Sequence, residues 1–192
     1  MEHVLNGRVR SSNNRLRIFV ELVSVANGYT IWSERYDRKM EDVFAIQDEI
    51  SLAIVETLKV KLLGKERKLI GKRPTGDIEA YHLYLQGNYF LNKRTTAGLH
   101  KAMKFFNQAV EKDPSYALAY VGIADTYTLL AGYEVILSID AYKLAREAVL
   151  CALKKDNSLA LGHSTLAILL WEDSVEQQSA EQEFRKAIDL AP

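Results

Sequence analysis

The sequence predicts an α+β protein that is mostly α: a short antiparallel β meander plus an amphipathic helix, followed by an α-solenoid of about three helix pairs. Three observations predict it. Apolar and other residues alternate along 16–23, the period-two signature of a half-buried strand. From about Asp42 the apolar spacing changes to a single helical stripe, as an amphipathic helix requires. A segment with two alanines seven residues apart then recurs three times in the remainder.

The β region spans residues 4–37. Leu16, Ile18, Val20 and Leu22 alternate with Arg17, Phe19, Glu21 and Val23, and 4–10 is a second strand. The intervening Ser11-Ser12-Asn13-Asn14 has turn chemistry, which predicts a hairpin. Asn27-Gly28 is a two-residue hairpin signal leading into a third strand over 29–36. Ile46, Ile50, Ala53, Ile54, Leu58 and Leu62 then share one helical face, predicting a helix from Asp42 to Leu63 with Gly64 as its stop. Trp32 and Tyr36 share strand parity and are expected to pack on that helix. Residues 64–76 read as a charged linker ending in Pro74-Thr75-Gly76. The chain therefore divides into 1–63, the linker 64–76, and an array over 77–192.

The array reads as helices at 77–93, 96–112, 115–132, 138–155, 158–172 and 175–190, with Ser115, Ser138 and Ser158 as N-caps and capping-box spacing at Ser174. Ala102 and Ala109, Ala145 and Ala152, and Ala180 and Ala187 are equivalent pairs, 43 and then 35 residues apart. Small residues let helices cross closely; Gly87, Ala124 and Ala167 supply that site on the first helix of each pair, and Pro114 and Pro192 end pairs. With Ala117, Ala119, Tyr120, Ile123, Ala124 and Tyr127 in order, the array resembles the tetratricopeptide (TPR) family, whose repeat is near 34 residues. Its pairs would be 77–114, 115–157 and 158–192, the second lengthened around residues 132–137.

Residues 4–63 resemble the later half of a TolB-like amino-terminal domain, on the stretches 4–10, 14–18, 28–37 and 42–50. In related proteins this domain precedes TPR repeats and often follows a nucleotide cyclase, a kinase or a DNA-binding domain. The resemblance implies elements ahead of Val4, so the first strand is expected to be an open edge.

Several function classes are disfavoured. Lys plus Arg equals Asp plus Glu, at 25 each, so no global field recruits nucleic acid or anionic lipid. No apolar run approaches a membrane span. Cys151 is the only cysteine, which suits a reducing, cytoplasmic setting; beside Ala152 it is expected to be buried and inert. No phosphate loop or nucleophile elbow occurs, and His3, His82, His100 and His163 lack metal-ligand spacing. The expectation is accordingly no catalytic residue, no metal and no cofactor.

The TPR resemblance implies a concave groove lined by first helices. Its positions map to Tyr81, Tyr84, Asn88, Leu91 and Asn92; to Leu118, Val121, Asp125 and Thr128; and to Leu161, Ser164, Ile168 and Trp171. That lining suits an apolar or amphipathic segment of another protein. The expected function is a non-enzymatic scaffold for a partner peptide or helix in bacterial-type signalling. One alternative is a homo-oligomer formed through the open strand edge (Val4, Val9) or an uncovered last repeat (Phe184, Ile188). The other is a nucleic-acid-linked regulator using Arg8, Arg10, Arg15 and Arg17, though a solvated sheet face is the favoured reading of those arginines.

Overall fold

The computed structural model describes residues 2–13, 15–39, 43–58, 73–172 and 176–191. Two compact units divide at Arg73/Pro74. The first holds β1 (His3–Ser12), β2 (Arg15–Ser24), β3 (Thr30–Lys39) and α1 (Val43–Thr57). The expected helix over 59–63, the stop at Gly64 and most of the linker lie outside the described residues.

The strands form an antiparallel sheet in the order β1-β2-β3. Val9 opposes Ile18, which opposes Tyr36, and the pleat sends this row to one face. On that face Leu16, Val20, Leu22 and Tyr36 are buried with Phe44 and Ile46 of α1. Trp32 and Ile50 complete the cluster. The Tyr36 hydroxyl donates to Glu34 at 2.9 Å. Burial first, and Glu34 second, push its pKa up to about 12.

The Asn27-Gly28 turn differs from a two-residue hairpin. β2 ends at Ser24 and β3 starts at Thr30, and the Gly28 amide donates to the Ser24 carbonyl at 2.9 Å. Gly28 has φ +71°, which a residue without Cβ adopts at no steric cost. A register irregularity at Leu22/Val23 absorbs the extra residues.

The second unit consists of α2 (Ile78–Leu91), α3 (Thr96–Lys112), α4 (Ala117–Gly132), α5 (Ser138–Lys155), α6 (Ala160–Trp171) and α7 (Gln177–Leu190). The helices pack as consecutive pairs, α2 with α3, α4 with α5 and α6 with α7, and each pair stacks on the next. Ala102, Ala109, Ala124, Ala145, Ala152, Ala167 and Ala180 are fully buried at these crossings. Ala187 departs from the pattern and is only half-buried, because no further described helix packs over the last turns of α7.

The caps differ from expectation. Asp77 accepts from the Ala80 amide at 2.9 Å and Thr95 from the Gly98 amide at 3.1 Å. Ser115 and Ser158 do not cap; each donates its hydroxyl and amide to the aspartate two residues earlier, Asp113 and Asp156. The same Asx turn thus opens α4 and α6, with Tyr116 and Leu159 at the N-cap positions. Ser138 is the first helical residue of α5, and Leu137 stands at its cap. Ser174 lies outside the described residues.

An aromatic cluster ties the first two pairs together. Tyr84 lies 5.8 Å from Phe106 and 5.1 Å from Tyr116, ring centre to ring centre. Tyr116 is fully buried and its hydroxyl has no hydrogen-bond partner among the described residues. Desolvating an unpaired hydroxyl costs about 1–3 kcal/mol. Tyr116→Phe should therefore be neutral or stabilising by up to about 1 kcal/mol, read from urea unfolding; a marked loss of stability would show that the hydroxyl is satisfied in solution.

Candidate functional site

The residues mapped to a groove separate into packed and open sets. Tyr84 is held in the aromatic cluster, and Leu118 packs with Ala80, Ala109 and Ala119. Val121 does not face an open surface: it is 3 % exposed and buried with Ala117 and Ala152. Its position on α4 turns it toward α5, a direction set by helix stacking. Thr128 donates its hydroxyl to the Ala124 carbonyl at 3.0 Å within α4. Asn92 is the exposed C-cap of α2, whereas Tyr81, Asn88, Leu91 and Ser164 are half-buried.

Asp125 is also engaged. The Thr165 hydroxyl donates to its Oδ1 at 2.9 Å, linking α4 to α6. Burial pushes the Asp125 carboxyl above its ordinary value, against the Thr165 hydrogen bond and the charge of Arg94, which lower it. A raised native pKa contributes stability that is full below the unfolded value of 3.8 and lost as pH rises through the native value. Asp125→Asn keeps an acceptor for Thr165 and cannot ionise. It should match the parent at low pH and exceed its stability at neutral pH by less than about 1.5 kcal/mol. Urea midpoints at several pH values check this, and a variant weaker at neutral pH would overturn it.

The open residues concentrate at the far pair. Leu161, Ile168 and Trp171 are 56 %, 44 % and 56 % exposed. Trp171 joins Phe184 and Ile188 in a depression of about 590 Å³, flanked by Gln177, Gln178, Glu181 and Arg185. Arg185 is held by Glu181 at 2.7 Å. The result is an apolar floor with a paired-charge rim, chemistry suited to an amphipathic segment. Sequence reasoning placed Trp171 on one surface and Phe184 and Ile188 on another; the structure joins them.

α6 and α7 are also fastened by a buried polar contact that sequence reasoning missed. His163, with only 3 % of its surface exposed, meets the Glu183 carboxylate with Nδ1 and the Asn157 carbonyl with Nε2. Lys186 also donates to Glu183. Its signal in the sequence was a histidine on an apolar helix face, which lacked a visible partner because Glu183 lies on the next helix.

The remaining chemistry-bearing residues stay apart. Among the described residues, no group of three or more His, Cys, Asp or Glu side chains could hold a metal ion. Cys151 is half-buried rather than enclosed, beside Tyr120, whose ring also carries the Lys155 ammonium at 4.9 Å. No helix among the described residues is long and apolar enough to cross a membrane.

No protein-family model matches the sequence. Over 175 residues, 88% of this chain, it is 33% identical to a protein of Rhizobium meliloti (strain 1021) described as "Putative adenylate cyclase 3". The match takes in 29% of that protein, so the chain spans less than a third of its relative's length. This finding corrects the expectation of a non-enzymatic scaffold: the relative that aligns across both units carries the description of an enzyme.

Proposed function

We propose that this chain works as part of an adenylate-cyclase-type enzyme, which closes the 3′-hydroxyl of ATP onto the α-phosphorus, releases pyrophosphate and yields cyclic AMP. The observation that carries this reading is the 33% identity over 88% of the chain to the cyclase-described relative. In this reading the helical array belongs to the TPR type and the preceding sheet to the TolB-like type. The array is the segment through which another protein or peptide sets cyclase output. The exposed Leu161 and Ile168, and Trp171 where it shares a depression with Phe184 and Ile188, support that role for the far pair. A cytoplasmic setting fits, since ATP is the substrate and the lone cysteine suits a reducing compartment.

The test uses the Rhizobium relative. Its matched segment is replaced by this chain or deleted, and cyclic AMP is measured in cells lacking other cyclases. The reading expects cyclic AMP from the parent, retention in the exchanged protein and altered output on deletion. A parent that makes none, or an output indifferent to deletion, overturns it.

A further inference from the structure

The face of the sheet opposite α1 carries a second candidate site. The register aligns Arg8, Phe19 and Arg35 in one row across the three strands, and Arg10, Arg17 and Asp37 in the next. Arg8, Arg10, Arg17, Phe19 and Arg35 together line an open depression of about 390 Å³. The five residues come from all three strands, so only the folded meander assembles them.

The charge on this face is unbalanced. Asp37 is fully engaged by Arg15 at 2.8 Å and Arg17 at 3.0 Å. Glu21, on the same face, accepts from Asn6 at 2.7 Å. No carboxylate among the described residues pairs with Arg8, Arg10 or Arg35. Arg8, Arg10 and Arg35 therefore line one depression with the half-buried Phe19 ring and have no paired carboxylate among the described residues. Like charges held close repel, and an anion relieves that repulsion while satisfying donors in the fork geometry that suits phosphate oxygens. An aromatic floor beside them offers a face on which a base can stack.

We infer that the Arg8–Phe19–Arg35 row, with Arg10, is a binding site for a nucleoside polyphosphate, whose phosphates lie on the arginines and whose base rests on Phe19. The inference stands on the sheet alone and does not depend on the cyclase reading. Sequence reasoning noted the arginines of the first hairpin but not Arg35, which completes the row from the third strand.

Calorimetric titration of the full chain with ATP, inorganic tripolyphosphate and adenosine at low salt tests it. Saturable binding of ATP is expected, weaker binding of tripolyphosphate, and none of adenosine. The double variant Arg8→Gln/Arg35→Gln should lose roughly tenfold or more in affinity for both phosphate ligands. These side chains are exposed, and an unchanged urea midpoint confirms that the variant folds. Phe19→Leu should weaken ATP about fivefold and leave tripolyphosphate unchanged. The inference fails if ATP does not saturate, or if the double variant binds as the parent does. It fails equally if tripolyphosphate binds as tightly as ATP, or if a DNA duplex binds where ATP does not. No outcome refers to cyclic AMP, so failure here leaves the proposed enzyme reading intact.

Discussion

Phe106→Ala should cost about 3–5 kcal/mol, the largest single loss expected in the helical unit. The ring is completely buried and lies against both Gly87 of α2 and Gly122 of α4. A Cβ at Gly87 would stand 2.5 Å from ring Cε1, and one at Gly122 would stand 2.6 Å from it. Neither approach is tolerable, and the ring is boxed in by Tyr84 and Ile123. Gly87→Ala and Gly122→Ala should therefore each destabilise by about 1–3 kcal/mol through overpacking. Alanine is otherwise the better helix former by about 1 kcal/mol, so the sign depends on Phe106. In a Phe106→Ala background, Gly122→Ala should become neutral or stabilising. A double-mutant cycle by urea unfolding measures that coupling; additive losses would show that the close approach relaxes in solution.

Glu183→Ala should be the second largest loss, about 2–3 kcal/mol, because it strands the buried His163 without its carboxylate. Both partners of the His163 ring are acceptors, so losing Glu183 leaves one ring nitrogen of a buried side chain without its partner. Burial, the largest influence, pushes the Glu183 carboxyl up. Hydrogen bonds from Lys186 and His163 together outweigh it and hold the group below its ordinary value. A lowered native pKa contributes stability above the unfolded value of 4.5 and loses it as pH falls through the native value. Urea midpoints of the parent should decline on acidification below that point. In Glu183→Gln this component of the decline should vanish. A parent and variant that fall in parallel would refute the assignment. The sign is opposite to that at Asp125, so the two variants separate the carboxylates by pH alone.

Much of the architecture was legible because it follows from local periodicity. The alternation at Leu16–Leu22 placed β2, and the shared parity of Trp32 and Tyr36 in β3 put both on the helix-facing side. The repeated alanine pairs placed the crossings of α3 and α5, and Ala180 placed that of α7. Ser115 and Ser158 were misplaced as caps because each gives its own amide and hydroxyl to the aspartate two residues earlier. Function was less legible. A search for catalytic motifs within 192 residues could not reveal a relative described as a cyclase, of which this chain matches only 29%.

The sequence by itself determined which segments are strands and helices and where small residues let helices approach, since both are set by neighbours within a few positions. Tertiary structure alone decided which side chains meet across elements. It placed Phe106 against two glycines 35 residues apart, joined His163 to Glu183, turned Val121 inward and brought Arg35 beside Phe19. Those outcomes depend on how helices stack and strands register, and packing of whole elements fixes both.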